Sequence, residues 1–317
     1  MSGALRPLPG YHLKQVNIAR WNSDGLYLGS SSSDKQVKIG QLEGSGTLRQ
    51  VQTIPMITNV TQIVWHPTET GRFCVAGDDK AIELWDVRAS RATSKIQTLS
   101  FNLNVSWSPD GKYLAVGNSV AMTDNVIVVD IGQGKWFKRA KFGFEVNELS
   151  WTANSSHLLA ATGEGTIDVL NADLENSASP DMSLVGSFTA HTSNCFALKV
   201  DRDFQRMAVG SADHNVSLWD LGDLVCHHTH SFDAPVRYLS FSGDGQRLAV
   251  VPEGSSVNIL DSNSADPIRK VECEKTVTAL CWHPKSPLLA VGVADVVTKA
   301  TTTLPSFLKF VSLPANL

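Results

Sequence analysis

Two histidine–aspartate pairs supply the residue types of an acid–base dyad. His12 and Asp34 are 22 residues apart, and His191 and Asp213 are separated by the same interval. A carboxylate that holds a histidine in one tautomer lets the ring accept a proton from a nucleophile, as in hydrolytic dyads and triads. The same interval in two distant places favours another interpretation, in which each pair is a structural hydrogen bond that recurs with a repeated unit of the fold.

Other signatures of catalysis are missing from the sequence. It contains no GxxxxGK[ST] phosphate loop, no GxSxG nucleophile elbow and no HExxH metal motif. The GQGKW segment at 132–136 lacks the strand and helix that flank a phosphate-binding loop. We therefore expect no catalytic residue, no cofactor and no small-molecule substrate, and the chain is predicted not to be an enzyme.

A group of histidines raises the question of a metal site: His227, His228 and His230. Along a strand, His228 and His230 would share a face and could hold a metal weakly. A structural zinc site uses about four ligands, and none of the cysteines is clearly placed to complete this one. We expect the polar edge of an outer strand here, and no metal.

The segment KWFKRAKFGF at 135–144 places cations beside aromatic side chains. Its candidate contact residues are Lys135, Trp136, Lys138, Arg139 and Lys141. Such a surface suits single-stranded RNA, through phosphate attraction and base stacking, and it equally suits an acidic protein partner. A charged outer strand would also protect the edge of a sheet while its aromatic side chains pack beneath it. The sequence leaves these three interpretations open.

These residues are set in a sequence that repeats. An apolar segment recurs seven times, ending in an aromatic residue in six copies and in valine in the other, with anchors at Trp21, Trp65, Trp107, Trp151, Val200, Phe241 and Trp282. The intervals of 44, 42, 44, 49, 41 and 41 residues match the length of a four-stranded propeller blade. Turn clusters such as SPDG and SGDG separate short apolar runs, and no stretch has a helical period. The sequence predicts an all-β fold, a seven-bladed β-propeller in which residues 1–317 form a single domain.

The two ends of the chain indicate how such a ring closes. The seventh copy ends near its third strand, at FLKFVSL, and a short segment precedes the first anchor strand. We expect the N-terminal segment near Ala4 to Leu8 to pair with the last blade as its missing outer strand. Closure removes the exposed end that an open stack of blades would leave.

Composition narrows the function classes. The 317 residues carry a formal net charge of -4, so a chain-wide basic field for nucleic acid is absent and RNA contact is expected to be local or indirect. The five cysteines form no CxxC pair, which fits a reducing compartment. No signal-peptide pattern or membrane-length apolar run is present, so we expect an intracellular protein without membrane contact. Of the eight tryptophans, only Trp136 lies outside the repeat pattern.

The repeats resemble WD40 repeats. The fifth copy is the fullest match, with AH at 190–191, GSAD at 210–213 and LWD at 218–220, and the second has GDD at 77–79. In WD-repeat proteins a histidine, an aspartate and a strand tryptophan form a structural brace, and the resemblance assigns this role to His12, Asp34, Asp79, Trp85, His191, Asp213 and Trp219. Val209 stands where the family brace usually has a serine or threonine, so we expect partial braces.

Longer strings are similar to one family in particular. FEVNELSW at 144–151, GSADHNVSLWDLGDLVC at 210–226, PVRYLSFSGDGQRLA at 235–249 and TALCWHPKSPLLA at 278–290 resemble the family of third subunits of the THO complex. The resemblance spans all seven repeats. It implies a nuclear, non-enzymatic scaffold of the THO and TREX assembly, which couples transcription to the processing and export of messenger RNA. The implied partners are other THO/TREX subunits, which are large helical proteins.

Two segments depart from that family, VAMTD at 120–124 and VTKATTTLPS at 297–306, and partner contacts through them are not carried over. A second hypothesis is a WD40 adaptor that presents substrates to a ubiquitin ligase or a chromatin-modifying complex. A third, a propeller enzyme, would need polar residues that converge in the central channel. A channel lined by valine, serine and alanine would leave no chemistry to assign.

Overall fold

Every secondary-structure element in the described part of the chain is a β-strand. The computed structural model describes residues 6–8, 11–44, 47–121, 123–172, 174, 179–294 and 307–312. Its strands form seven four-stranded antiparallel sheets, which are the blades of a propeller. The prediction of an all-β, seven-bladed propeller is confirmed. Among the described residues there is no helix with the length and apolarity needed to span a bilayer.

The strands follow one another blade by blade. The first strand of the chain is β1 (Arg6–Leu8). Blades one and two contain β2 (Val16–Trp21), β3 (Tyr27–Ser32), β4 (Gln36–Leu42), β5 (Leu48–Pro55), β6 (Val60–Trp65), β7 (Arg72–Gly77), β8 (Ala81–Asp86) and β9 (Ser94–Gln97). Blades three and four contain β10 (Phe101–Trp107), β11 (Tyr113–Val120), β12 (Thr123–Asp130), β13 (Lys135–Phe142), β14 (Val146–Trp151), β15 (His157–Thr162), β16 (Thr166–Asn171) and β17 (Ser183–Thr189).

Blades five and six contain β18 (Cys195–Val200), β19 (Arg206–Ser211), β20 (Asn215–Asp220), β21 (Cys226–Ser231), β22 (Val236–Phe241), β23 (Arg247–Pro252), β24 (Ser256–Asp261) and β25 (Pro267–Glu272). Blade seven contains β26 (Thr276–Trp282), β27 (Leu288–Ala294) and β28 (Phe307–Ser312). The first strand of each blade packs against the first strand of the next, around the central channel. Turns between first and second strands lie on one face of the disc, called here the AB face, and turns between second and third strands lie on the BC face.

The ring closes as the sequence predicts. Strand β1 pairs antiparallel with β28 and is the fourth strand of blade seven. Arg6 lies opposite Phe310, and Leu8 lies opposite Leu308. Ala4 and Leu5, the other residues of the predicted closing segment, lie outside the described residues. The 297–306 segment also lies outside them.

Apolar side chains are concentrated between blades. In the described part of the chain, one apolar cluster lies at each of the seven interfaces between neighbouring blades. Burial of apolar surface on both sides of a blade stabilises the folded state by about 25 cal/mol for each Å² removed from water. A single blade cannot bury either of its faces alone. A closed ring gives every blade a neighbour on both faces, which explains why the repeats fold together.

Three anchor tryptophans also join neighbouring blades by hydrogen bonds. The indole Nε1 of Trp65 donates to the Arg20 carbonyl at 2.8 Å. The same bond links Trp151 to the Ser106 carbonyl at 3.0 Å, and Trp107 donates to the carbonyl of Val64 at 3.2 Å. The anchors therefore fix the angle between blades as well as filling the interface.

Two histidines that follow anchors make further links between blades on the AB face. His66 Nε2 donates to the Gly111 carbonyl at 3.1 Å, and His283 Nε2 donates to that of Gly25 at 3.0 Å. Both glycines have positive φ, and a Cβ at either would lie 2.3 Å from the histidine ring. The turn sequences therefore require glycine for backbone conformation and for space.

Candidate functional site

Blade five contains a continuous hydrogen-bonded chain of four side chains. His191 Nδ1 lies 3.1 Å from the Asp213 carboxylate, and His191 Nε2 lies 2.8 Å from Ser217 Oγ. Trp219 Nε1 donates to the same Oγ at 2.7 Å. With the Nδ1 proton directed at Asp213, Nε2 accepts from the Ser217 hydroxyl, and every donor and acceptor along the chain is matched.

The serine in this chain corrects the expectation of a partial brace. Val209 does lack a hydroxyl, but Ser217 on β20 supplies it from the neighbouring strand. The arrangement also has the composition of a Ser–His–Asp triad. Ser217 is 1% exposed and its oxygen is already bonded to an indole, so no substrate can reach it and the role of the triad is structural.

Hydrogen bonds hold Asp213 as a carboxylate. Burial alone would raise its pKa, but backbone N–H groups of Thr192 and Asn215, together with His191, outweigh burial and leave the pKa below its ordinary value. The brace therefore contains a fixed negative charge at the turn on the BC face.

Blade one repeats part of this arrangement. His12 Nδ1 lies 3.1 Å from Asp34 Oδ2, and His12 Nε2 lies 2.9 Å from Ser30 Oγ. The position of the strand tryptophan is taken by Gly40, and a Cβ there would meet the Leu48 side chain at 2.5 Å and the Tyr11 hydroxyl at 2.9 Å. Leu48 and Tyr11, whose ring is edge-on to His12, leave no space for a side chain at this position.

Blade two corrects the predicted brace at Asp79 and Trp85. Met56 occupies the sequence position that holds histidine in blades one and five. Lys95 takes the place of the imidazole, because its Nζ lies 3.4 Å from Asp79 and 2.9 Å from Glu83. Trp85 Nε1 donates to Glu83 at 3.2 Å. The tryptophan and the aspartate are still connected, but through an ion pair.

The basic aromatic segment forms β13, the outer strand of blade three, and its edge is covered. Arg139 N donates to the Pro180 carbonyl, and Met182 N donates to the Arg139 carbonyl, both at 2.8 Å. The covering residues, 179–182, precede the outer strand of blade four. They block the edge against pairing with another chain.

Burial excludes one of the candidate contact residues, and a second is partly covered. Lys138 is fully buried, and its Nζ donates to the Ser179 carbonyl at 2.6 Å. Trp136 is half-buried against the apolar cluster between blades two and three, so the fold does account for the indole. The pairing of β12 with β13 skips Phe137, so Trp136 faces blade two while Lys138 faces blade four, which a sequence pattern alone cannot specify.

Of the remaining candidates, Arg139 and Lys141 border a crevice between blades three and four. Its volume is 500 Å³. The apolar lining includes Phe142, Phe144 and Leu184, and the two phenylalanine rings pack edge to face at 5.7 Å. Leu184 is 57% exposed on β17. Lys135 is exposed but does not line this crevice.

The Arg139 guanidinium is held in place at this crevice. Its Nε and Nη2 donate to Asn125 Oδ1 at 2.9 and 2.6 Å. A fixed cation beside an apolar recess is the composition of a protein-interaction hot spot, in which apolar burial and one oriented charge act together. Sequence reasoning missed Leu184, because no pattern places β17 beside β13.

The histidine group lies on β21, the outer strand of blade five. His227 and two turn carboxylates, Asp220 and Asp223, have ligand atoms within 4.8 Å of one another. Three groups are fewer than a structural zinc site uses, and Asp220 already accepts from Gly222 N at 2.6 Å. We assign no metal here.

The channel wall is not made of valine, serine and alanine alone. The residue before each anchor lies at the AB mouth, where the seven are Arg20, Val64, Ser106, Ser150, Lys199, Ser240 and Cys281. Deeper in the channel, Glu148 pairs with Lys199 and accepts from Leu198 N at 2.7 Å. The channel therefore contains charged groups that the sequence reasoning did not place together.

Comparison with known proteins places the chain among propeller proteins. Residues 114–301 match the model of the nucleolar protein 10-like, N-terminal domain, a β-propeller family. THO complex subunit 3 of Arabidopsis thaliana is 31% identical over 92% of this chain and 90% of that protein. WD repeat-containing protein AAC3 of Dictyostelium discoideum is 30% identical over 89% of this chain and 62% of that protein.

A solved structure has the same fold. The crystal structure of the Myceliophteria thermophila Cps50 (Swd1) β-propeller domain superposes with a TM-score of 0.80, covering 98% of this chain and 100% of that one, at 16% sequence identity. Low identity with near-complete coverage supports the architecture alone. The two sequence matches, which cover 92% and 89% of this chain, the seven blades and the His–Asp braces together show that the chain belongs to the WD-repeat β-propeller family that includes THO complex subunit 3.

Proposed function

We propose that the protein is a non-enzymatic scaffold subunit of a THO-type complex that couples transcription to messenger RNA processing and export in the nucleus. The observation that carries this proposal is the 31% identity with THO complex subunit 3, which extends over 92% of this chain. A match of that extent supports a shared role more strongly than WD signatures alone, which recur in many unrelated functions.

The crevice between blades three and four supports a role in protein binding. Phe144 and Leu184 offer apolar area beside the fixed cation of Arg139. Asp168 and Asp181 also line the crevice, so the combination favours a partner that inserts an apolar side chain flanked by polar groups. The partners proposed are the large helical subunits of the same complex.

Direct RNA binding is less well supported by the charge distribution. The burial of Lys138 leaves Lys135, Arg139 and Lys141 as the cations of the basic segment. A groove that follows a nucleic-acid backbone needs a longer series of cations and exposed aromatic platforms. We therefore assign RNA contact to the partners.

Affinity purification from nuclear extract tests the proposal. The tagged protein should recover large helical THO subunits and export factors. Recovery of ubiquitin-ligase components or histone-modifying enzymes in their place would overturn it and favour the adaptor hypothesis.

Two neighbouring residues of β17 give a matched pair for the crevice. Leu184 is 57% exposed and lines the crevice, while Val185 is 54% exposed and lies in the bulge between Leu184 and Gly186. Leu184→Ser should reduce recovery of the partner subunits by about tenfold, and Val185→Ser should leave it unchanged. Equal recovery by both variants and the wild type would exclude the crevice as a contact.

A further inference from the structure

The AB mouth of the channel contains an arginine whose hydrogen-bonding capacity is only partly used. Arg20 Nη1 donates to the carbonyls of Leu280 and Ala19 at 3.0 and 3.2 Å. Within the described residues, its Nε and Nη2 have no hydrogen-bond partner and the guanidinium has no ion pair. The hydrogen bonds of Nη1 therefore hold the guanidinium in place, while its other N–H donors remain available to a ligand.

Other cations stand beside Arg20 without enough acidic groups to balance them. Lys199 and Arg202 line the same recess. Glu148 neutralises Lys199, and the carboxylate of Asp201 is bound to Arg206 at 3.0 Å. The mouth consequently has an excess of positive charge in a protein whose net charge is -4. Partial burial strengthens this field relative to that of exposed cations.

Among the described residues, the opposite mouth of the channel has no such excess of positive charge. Arg237 lies there with its guanidinium 3.9 Å from the Phe196 ring centroid, and its Nη2 is 3.2 Å from the Glu253 carboxylate. Its charge is therefore already paired. The difference between the two mouths directs an anionic ligand to the AB face.

The form of the recess indicates what kind of anion it accepts. The recess has a volume of 510 Å³, which is enough for one or two side chains. Trp107 and Phe241 contribute apolar walls, but the indole of Trp107 is bonded to the Val64 carbonyl and packs on the His66 ring. Rings held against their own blades are poor platforms for stacking bases, and the charge is concentrated at one point instead of extending along a groove. A carboxylate with an apolar neighbour fits better than a nucleic-acid backbone.

We propose that the AB mouth of the channel binds an aspartate or glutamate side chain of an acidic protein segment, with Arg20 as the residue that contacts the carboxylate. Arginine donates two parallel N–H groups to one carboxylate, which gives direction as well as attraction. The inference rests on the proposed function as a protein scaffold and names the chemistry of one partner segment. This site is separate from the crevice between blades three and four.

Fluorescence anisotropy with a labelled deca-glutamate peptide tests the site on the purified full chain. We expect saturable binding that weakens as salt is added, and at least about tenfold weaker binding by Arg20→Gln. Arg91→Gln removes the same charge from an exposed position outside the channel and should bind like the wild type. Equal affinity of Arg20→Gln and Arg91→Gln would overturn the proposal.

A second variant changes the affinity in the opposite direction and does not depend on losing Arg20. Glu148→Gln keeps an acceptor for Leu198 N but removes the counter-charge of Lys199. We expect roughly threefold tighter binding of the glutamate peptide. Weaker binding, or a preference of the wild type for a labelled oligouridylate over the peptide, would overturn the proposal.

Purification from nuclear extract separates this inference from the proposed function. If deca-glutamate binding is absent while the THO subunits are still recovered, only the channel site is overturned. If the peptide binds as expected while those subunits are not recovered, the proposed function is overturned and the channel site is retained.

Discussion

Blades two and five connect a strand tryptophan to a turn aspartate by chains of equal length and different chemistry. In blade five the links are Ser217 and His191, a neutral hydroxyl and an imidazole that are 1% and 6% exposed. The two hydrogen bonds to Ser217 are buried, and the bond between His191 and Asp213 is partly buried. The chain therefore combines the strength of a low-dielectric network with the penalty for leaving any member unpaired.

In blade two the links are Glu83 and Lys95, which form an ion pair at 2.9 Å. The Lys95 side chain is 50% exposed and that of Asp79 is 34% exposed. Exposed ion pairs contribute little because water and salt screen them. The comparison shows that the pattern of aspartate and tryptophan marks the position of the brace, while the residues between them determine how much it stabilises the blade.

Substitution of the buried histidine should have the largest effect. His191→Ala leaves Asp213 and the Ser217 hydroxyl without their shared partner, and we expect a loss of about 3 kcal/mol in the free energy of unfolding. Urea unfolding of the purified protein measures it. Met56→Ala, at the matching position of blade two, is the control and should cost less. Similar losses for the two variants would contradict the distinction between the blades.

His66 of blade two links neighbouring blades on the AB face, and its contribution to the stability of the fold should depend on pH. Burial lowers the pKa of His66 below its ordinary value of 6.5, although Glu69 opposes the shift. A depressed histidine pKa means that the unfolded chain binds the proton more readily, so stability is lost as pH falls below 6.5 towards the folded-state pKa.

His66→Ala should accordingly be less stable than the wild type at about pH 7.5, and the difference should shrink as pH is lowered to about 5.5. Thermal melts of both proteins across this range measure the effect. A difference that stays constant with pH would mean that the contribution of His66 does not depend on a neutral ring, whose Nδ1 accepts from Glu69 N at 3.0 Å.

Disruption of the ionic chain should have the smallest effect. Lys95→Met keeps the length of the side chain but removes its bonds to Asp79 and Glu83, and we expect a loss below about 1 kcal/mol that decreases in high salt. Urea unfolding at low and high salt measures it. The loss caused by His191→Ala should be nearly independent of salt. A salt-independent loss for Lys95→Met would show that the blade two chain is more shielded than its exposure indicates.

Several features of the fold were predictable because they depend on local sequence. The repeat interval and the anchor residues required seven blades, and the short last copy required the N-terminal strand that pairs with β28. The His–Asp interval of 22 residues indicated a repeated structural bond, and both pairs are within 3.1 Å. Each of these follows from residues within one repeat or from the number of repeats.

The candidate site was harder to predict because it depends on contacts between distant residues. Lys138 is buried by Ser179, which is 41 residues away, and the crevice combines β13 with Leu184 of the next blade. Trp136 stood out in the sequence because it lies outside the repeat pattern, yet it packs against the cluster between blades two and three. An interleaved basic and aromatic pattern indicates a candidate surface without specifying which side chains reach it.

The sequence by itself determined the number of blades, the closure of the ring and the positions of the braces, because strand periodicity and turn residues act over short distances along the chain. Only the tertiary structure decided which charges remain available. Arg20 and Lys199 come from blades one and five, and they meet at one mouth because ring closure brings the first strands of all blades around the same axis. A closed ring places residues from distant repeats side by side, and their spacing in the sequence contains no record of that proximity.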